Sequence, residues 1–203
     1  ITLTSAGAET LTISLLATSK PKQITKTVYQ LTNTLTAGEE YLIVSSNSAG
    51  SGYALGHSGT TVASDEVTVN SADDFSNANY INAEDVAETS VWTVGSGYTF
   101  KNDSYYVGVK TSGTRSLRIS TSSTNWSWSG SNNRLSYNSS YNGTYYLRYN
   151  NGFSINTSAS SIYLYKKTTI TVDVADPEII ADTEEMEFST RAGVAVTKTF
   201  DVD

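Results

Sequence analysis

Ser116-Leu-Arg-Ile-Ser-Thr-Ser-Ser-Thr-Asn-Trp-Ser-Trp128 aligns without a gap on Gly152-Phe-Ser-Ile-Asn-Thr-Ser-Ala-Ser-Ser-Ile-Tyr-Leu164, at an offset of 36 residues. Leu117 matches Phe153, Ile119 matches Ile155, Thr121 matches Thr157, Trp126 matches Ile162 and Trp128 matches Leu164. Just upstream, Tyr105-Tyr-Val107 matches Tyr145-Tyr-Leu147 at an offset of 40, the difference being loop length. Self-similarity at this period marks a supersecondary unit that buries its apolar face only against further copies of itself.

A looser copy precedes these two. Val91-Trp92-Thr-Val94 matches Asn125-Trp126-Ser-Trp128 at an offset of 34, and Tyr98-Thr-Phe100 corresponds to Asn133-Arg-Leu135. Tyr41-Leu-Ile43 is read as taking the place of the Tyr-Tyr-Val run. The copies then span 28–94, 95–129 and 130–167, with about four short strands each. Short apolar runs separated by Gly, Asn and Ser clusters read as strands and turns, and no segment sustains helical spacing. Residues 70–88 are acidic and turn-rich and read as an insertion with one helical turn. The expected fold class is all-β.

Three four-stranded copies make twelve strands, the number that closes a β-trefoil, and closure removes sheet edges. The repeat resembles the ricin-like β-trefoil pattern, in which each copy opens on a Tyr-Leu type strand and ends on a buried aromatic. The resemblance covers residues 28–167 and implies a β-trefoil-like domain. Sugar-binding ricin-like repeats usually carry Gln two positions before the closing Trp. This chain has Ser90, Thr124 and Ser160 there, so the resemblance carries the fold without that residue of the lectin site.

The flanks have their own pattern. Ile1, Leu3, Leu11, Ile13 and Leu15 alternate with polar residues, and Ser19-Lys-Pro-Lys22 breaks the alternation. Residues 1–18 resemble the last two strands, and Pro177 to Phe200 the first two, of an Ig-like surface domain of gut-type bacteria. The expected organisation is Ig-like terminal strands at 1–18, a linker at 19–27, the trefoil-like domain at 28–167 and Ig-like strands at 168–203. The end strands are expected to pair with each other, or with neighbouring domains or subunits. Ile1 reads as mid-strand, which points to a piece of a longer exported protein.

Composition narrows the function classes. The 203 residues include fourteen Tyr against five Phe and one Met, and only 16% are charged. Tyr, Thr and Val suit half-buried pleated surfaces. A net charge of −7 leaves no basic patch for a phosphate backbone, so nucleic acid is not expected as a partner. No apolar run approaches the length of a membrane span. The absence of cysteine excludes disulfides and thiolate chemistry. No cofactor is expected.

No catalytic constellation emerges. His57 is the only histidine. Beside Ser58 it lacks the third group of a triad, and it reads as a polar loop residue. Asp73-Asp74, Glu84-Asp85 and Glu184-Glu185 are sequence neighbours. In a strand such neighbours point to opposite faces, whereas glycoside hydrolysis needs two carboxylates facing across a cleft. They read as solvated loop acids, with the 70–88 stretch as an alternative calcium site that lacks EF-hand spacing. Trp92, Trp126 and Trp128 read as core. Arg115, Arg118, Arg134 and Arg148 read as surface groups.

The expected ligand-binding residues are Tyr137, Tyr141, Tyr145, Tyr149, Asn150 and Asn151. Tyr rings stack on sugar faces, and nearby amides and hydroxyls supply hydrogen bonds. The expected function is a non-catalytic, extracellular or cell-surface binding and adhesion module of a bacterial protein, taking a carbohydrate or host glycan. The alternatives are a structural spacer or strand-exchanging subunit of a surface fibre, and an accessory domain of a larger secreted enzyme.

Overall fold

Val94 faces Phe100, Trp128 faces Leu135 and Leu164 faces Ile43 as partners on paired antiparallel strands. Val94, Trp128 and Leu164 are the matched closing positions of the three copies. Each closing strand therefore pairs with an opening strand, and the last closes on the first. These pairings belong to the computed structural model, which describes residues 22–73, 76–139 and 143–174. Of the Ig-like strands expected at 1–18 and 168–203, residues 1–18 and 175–203 lie outside the described residues, as does Tyr141, while residues 168–174 continue the strand Tyr163–Val174.

The described residues carry fourteen strands, some 3-10 turns and no α-helix. The strands are β1 (Lys22–Thr32), β2 (Glu40–Val44), β3 (Gly50–Ser58), β4 (Thr61–Val69), β5 (Tyr80–Asn82), β6 (Trp92–Val94) and β7 (Phe100–Asn102). Then come β8 (Tyr105–Lys110), β9 (Ser116–Ser120), β10 (Ser127–Ser129), β11 (Arg134–Ser139), β12 (Gly143–Tyr149), β13 (Phe153–Asn156) and β14 (Tyr163–Val174). One antiparallel sheet runs β5-β1-β14-β2-β6-β7-β8-β9, with β3 and β4 branching from β2; a second runs β10-β11-β12-β13. The all-β expectation holds. Residues 24–172 form one compact unit.

Two sequence readings change. Residues 22–27, read as linker, are the first half of β1, whose alternating Ile24 and Thr25 continue into the buried Val28 and Tyr29. The alignment of the first copy also shifts. Ile43 pairs with the closing strand as Phe100 and Leu135 do, so Tyr41-Leu-Ile43 opens its copy. Tyr53-Ala-Leu55 takes the Tyr-Tyr-Val place instead. The Trp92 indole N–H donates to the Leu55 carbonyl at 2.7 Å, as the Trp126 indole N–H donates to the Val107 carbonyl at 3.0 Å. Two Tyr-plus-apolar runs compete for one place in this copy, and only strand register separates them.

Alternation explains the main core. In β8, Tyr105, Val107 and Val109 point inward while Tyr106 and Lys110 point out; β12 repeats this with Tyr145, Leu147 and Tyr149. Their inner faces meet Ile43, Leu55, Trp92, Phe100, Leu135 and Ile162 in one cluster. A second cluster joins Tyr29, Leu42, Val44, Val67, Ile81 and Tyr165. Strand β2 feeds both clusters, Tyr41 and Ile43 on one side, Leu42 and Val44 on the other. A strand buried on both faces reads as the unbroken apolar run Tyr-Leu-Ile-Val. The 70–88 insertion, in its described part, supplies the cover: β5 pairs with β1, and 3-10 turns follow at Ala83–Asp85 and Glu88–Ser90.

Candidate functional site

The expected ligand-binding residues divide between the two ends of one hairpin. Tyr137 on β11 faces Tyr145 on β12 as a direct cross-strand partner. Tyr149 is four residues further along β12, about 13 Å away at strand rise. Asn150 and Asn151 make the exposed turn into β13, where the Asn150 amide donates to the Gly152 carbonyl at 3.0 Å. Asn151 sits at φ 52°, a left-handed conformation that Asn tolerates better than most residues. The grouping thus holds for Tyr149, Asn150 and Asn151, and separately for Tyr137 and Tyr145.

The three described tyrosines also belong to the packing. All are half-buried against the main core. Tyr137 meets Trp126 edge-on at 6.3 Å, and Tyr149 meets Phe153 edge-on at 5.2 Å. Tyr149 stacks on Tyr53 with centroids 5.0 Å apart and planes 12° apart. Burial first, then the charge and hydrogen bond of Tyr53, push the Tyr149 hydroxyl above its ordinary pKa. The Tyr149 hydroxyl therefore stays neutral well above physiological pH.

A ring contact at the matched place, tilted by 48° rather than stacked, joins the first and second copies. With Leu55, Val107 and Leu147 in matched places, His57 and Tyr149 are counterparts, and so are Tyr53 and Tyr105. His57 packs on Tyr105 at 4.9 Å as Tyr149 packs on Tyr53. In two of the three copies a ring from the inward strand thus meets a ring of the next copy; the counterpart in the second copy is Val109.

His57 is not a loop residue: it lies within β3 and is 7% exposed. Its Nδ1 is 3.1 Å from the Gly59 carbonyl and its Nε2 3.2 Å from Asn102 Oδ1. The Asn102 amide nitrogen is committed to the Glu88 and Val91 carbonyls, which fixes its oxygen toward the ring. Each imidazole nitrogen thus lies within hydrogen-bond distance of an oxygen other than the Ser58 hydroxyl. Ser58 also points to the opposite face of the strand.

No family model matches the sequence, and comparisons with curated proteins and with solved structures find no match.

Several of the carboxylates have local partners. Asp73 accepts from the Ser76 amide at 2.9 Å and the Tyr80 hydroxyl at 3.1 Å. Among the described residues no three His, Cys, Asp or Glu side chains come together. Asp65 accepts a 2.5 Å hydrogen bond from Ser90, whose side chain is wholly buried. Ser90 holds one of the places where a ricin-like repeat would carry Gln, and here it serves this internal contact. The arginines are not the surface groups expected: Arg115, Arg118, Arg134 and Arg148 are all half-buried. Arg115 and Arg148 each reach a serine, Ser139 and Ser154, while buried guanidinium nitrogens of Arg115, Arg118 and Arg134 have no hydrogen-bond partner among the described residues.

Sequence reasoning missed Tyr98. It is the one large apolar side chain exposed among the described residues, at 37%. Its φ is 54°, which costs a non-glycine residue about 1 kcal/mol or more. Its counterpart in the next copy, Asn133, has φ 50°, so two of the three copies take this conformation at the turn into the opening strand. The available signal was the alignment itself, which sets a tyrosine against an asparagine at a turn.

Proposed function

We propose that residues 24–172 form a β-trefoil that serves as a non-catalytic, extracellular glycan-binding module of a bacterial surface protein. The trefoil reading is supported by the three equivalent closing-to-opening strand pairings and the two equivalent indole-to-carbonyl bonds. The binding reading is carried by one observation: the half-exposed Tyr53–Tyr149 stack borders a turn that presents Asn150 and Asn151 to solvent. Aromatic edges beside uncharged amides suit sugar hydroxyls and C–H faces.

A glycan array with the full chain tests this. Selective retention of at least one glycan class is expected, weakened roughly fivefold or more, about 1 kcal/mol, by Asn150→Ala combined with Asn151→Gly. Glycine keeps the left-handed backbone and removes only the amide. Uniform background on the array, with the protein folded by circular dichroism, would sink the binding reading.

A second reading, a spacer within a longer surface assembly, is favoured by β14. It extends past its pairing with β2 and lies beside β1, so the chain enters and leaves the unit at one place. Such a unit suits insertion into, or joining with, neighbouring domains through its end strands.

A further inference from the structure

We infer that Tyr98 and Asn125 form a second carbohydrate contact, with the Tyr98 ring taking the apolar face of a neutral pyranose. The inference rests on the glycan-binding reading and adds a ligand class and a separate place. The loop is held by the Gly95 amide, which donates to the Thr99 carbonyl at 2.8 Å. Within it, Gly97 adopts φ 67° and lies under the Asn125 amide, whose atoms are 3.0–3.1 Å from where a Cβ would stand. Any other residue at 97 would push Asn125 aside. The Asn125 side chain is exposed and makes no hydrogen bond among the described residues, so its donor and acceptor are available to a ligand.

Folding alone does not account for Tyr98. Asparagine or glycine satisfies the left-handed conformation at lower cost, and Asn133 does so in the next copy. An aromatic ring kept on strained backbone and turned to solvent points to recognition. Residues 95–99 and 124–126 carry no formal charge, so nothing there pairs with a sialic or sulfated sugar. A protein partner fits less well: stable interfaces bury upwards of about 1,000 Å² around apolar anchors, and Tyr98 stands alone among Gly, Ser, Thr and Asn.

Amide-resolved NMR titration of the full chain with cellohexaose, mannohexaose and galactobiose, and with sialyllactose as the charged control, tests the assignment. At least one neutral sugar is expected to shift residues 96–99 and 124–126. Tyr98→Asn is expected to keep the fold and weaken that binding tenfold or more, while Asn150→Ala with Asn151→Gly leaves it unchanged. Sugar-induced shifts confined to residues 149–152 would overturn this second contact and spare the first. Binding at 96–99 that survives Tyr98→Asn would also overturn it. Self-association abolished by Tyr98→Asn, with no sugar response, would assign the ring to a protein contact instead. No response to any sugar would overturn both readings.

Discussion

Replacing Trp92 with alanine is expected to cost about 3–5 kcal/mol of folding stability. Its ring is fully buried in the main cluster, and its indole N–H satisfies the Leu55 carbonyl. Removing it opens a cavity and strands that carbonyl. Trp126→Ala is expected to fall in the same range, because Trp126 holds the matched place in the second copy and bonds Val107. The half-exposed Trp128, bonded to the Asn33 carbonyl at 2.8 Å, is expected to cost clearly less. Urea unfolding followed by circular dichroism measures all three. Should Trp92→Ala be too unstable to purify, Trp92→Phe isolates the hydrogen bond, with an expected loss of about 1 kcal/mol plus a small packing term. A loss under about 1 kcal/mol for Trp92→Ala would contradict a closing-strand role.

Gly56→Ala should destabilise by about 3 kcal/mol, a large effect for one methyl group. A Cβ on Gly56 would fall on Asp65 Oδ2 and Ser90 Oγ, the two atoms of the 2.5 Å hydrogen bond. The backbone there has no unusual φ, so the cost is steric and electrostatic. Overpacking contributes about 1–3 kcal/mol. Loss of a hydrogen bond to a charged acceptor adds about 1.5–3 kcal/mol, partly relieved by side-chain motion. Ser90→Gly in the Gly56→Ala background supplies the control: it makes room for the methyl group and should recover part of the loss. A Gly56→Ala protein as stable as the parent would mean that Asp65 and Ser90 are not packed over Gly56.

Repeat period and strand content were legible because the pleat writes burial into alternate residues. Leu117, Ile119, Trp126 and Trp128 could be laid on Phe153, Ile155, Ile162 and Leu164 without structural help, and they occupy matched places. The first copy was harder. Tyr41-Leu-Ile43 and Tyr53-Ala-Leu55 offer the same local pattern, and the choice rests on pairing with Leu164, more than a hundred residues away. The second apolar cluster was not foreseen, although the run Tyr-Leu-Ile-Val at 41–44 is what burial on both faces looks like in a sequence.

The candidate site was legible in part. A Tyr- and Asn-rich hairpin stood out, and it does present Asn150 and Asn151. Composition alone does not tell an exposed tyrosine from one packed on a core, so Tyr137 and Tyr145 were grouped with Tyr149 although they lie at the other end of the strand pair. Tyr98 went unnoticed because its distinction is conformational. His57 read as a loop residue because Gly56, Ser58 and Gly59 surround it, and Gly is usually a turn former. Here Gly56, inside a strand, makes room for the part-buried Ser90–Asp65 hydrogen bond.

The central claim is that three copies close on one another, the last upon the first. Cross-strand backbone NOEs in the full chain test it most directly. NOEs are expected between Val94 and Phe100, between Trp128 and Leu135, and between Leu164 and Ile43. Loss of the Leu164–Ile43 contact, with Ile43 paired elsewhere while the other two persist, would contradict closure and with it the three-copy architecture.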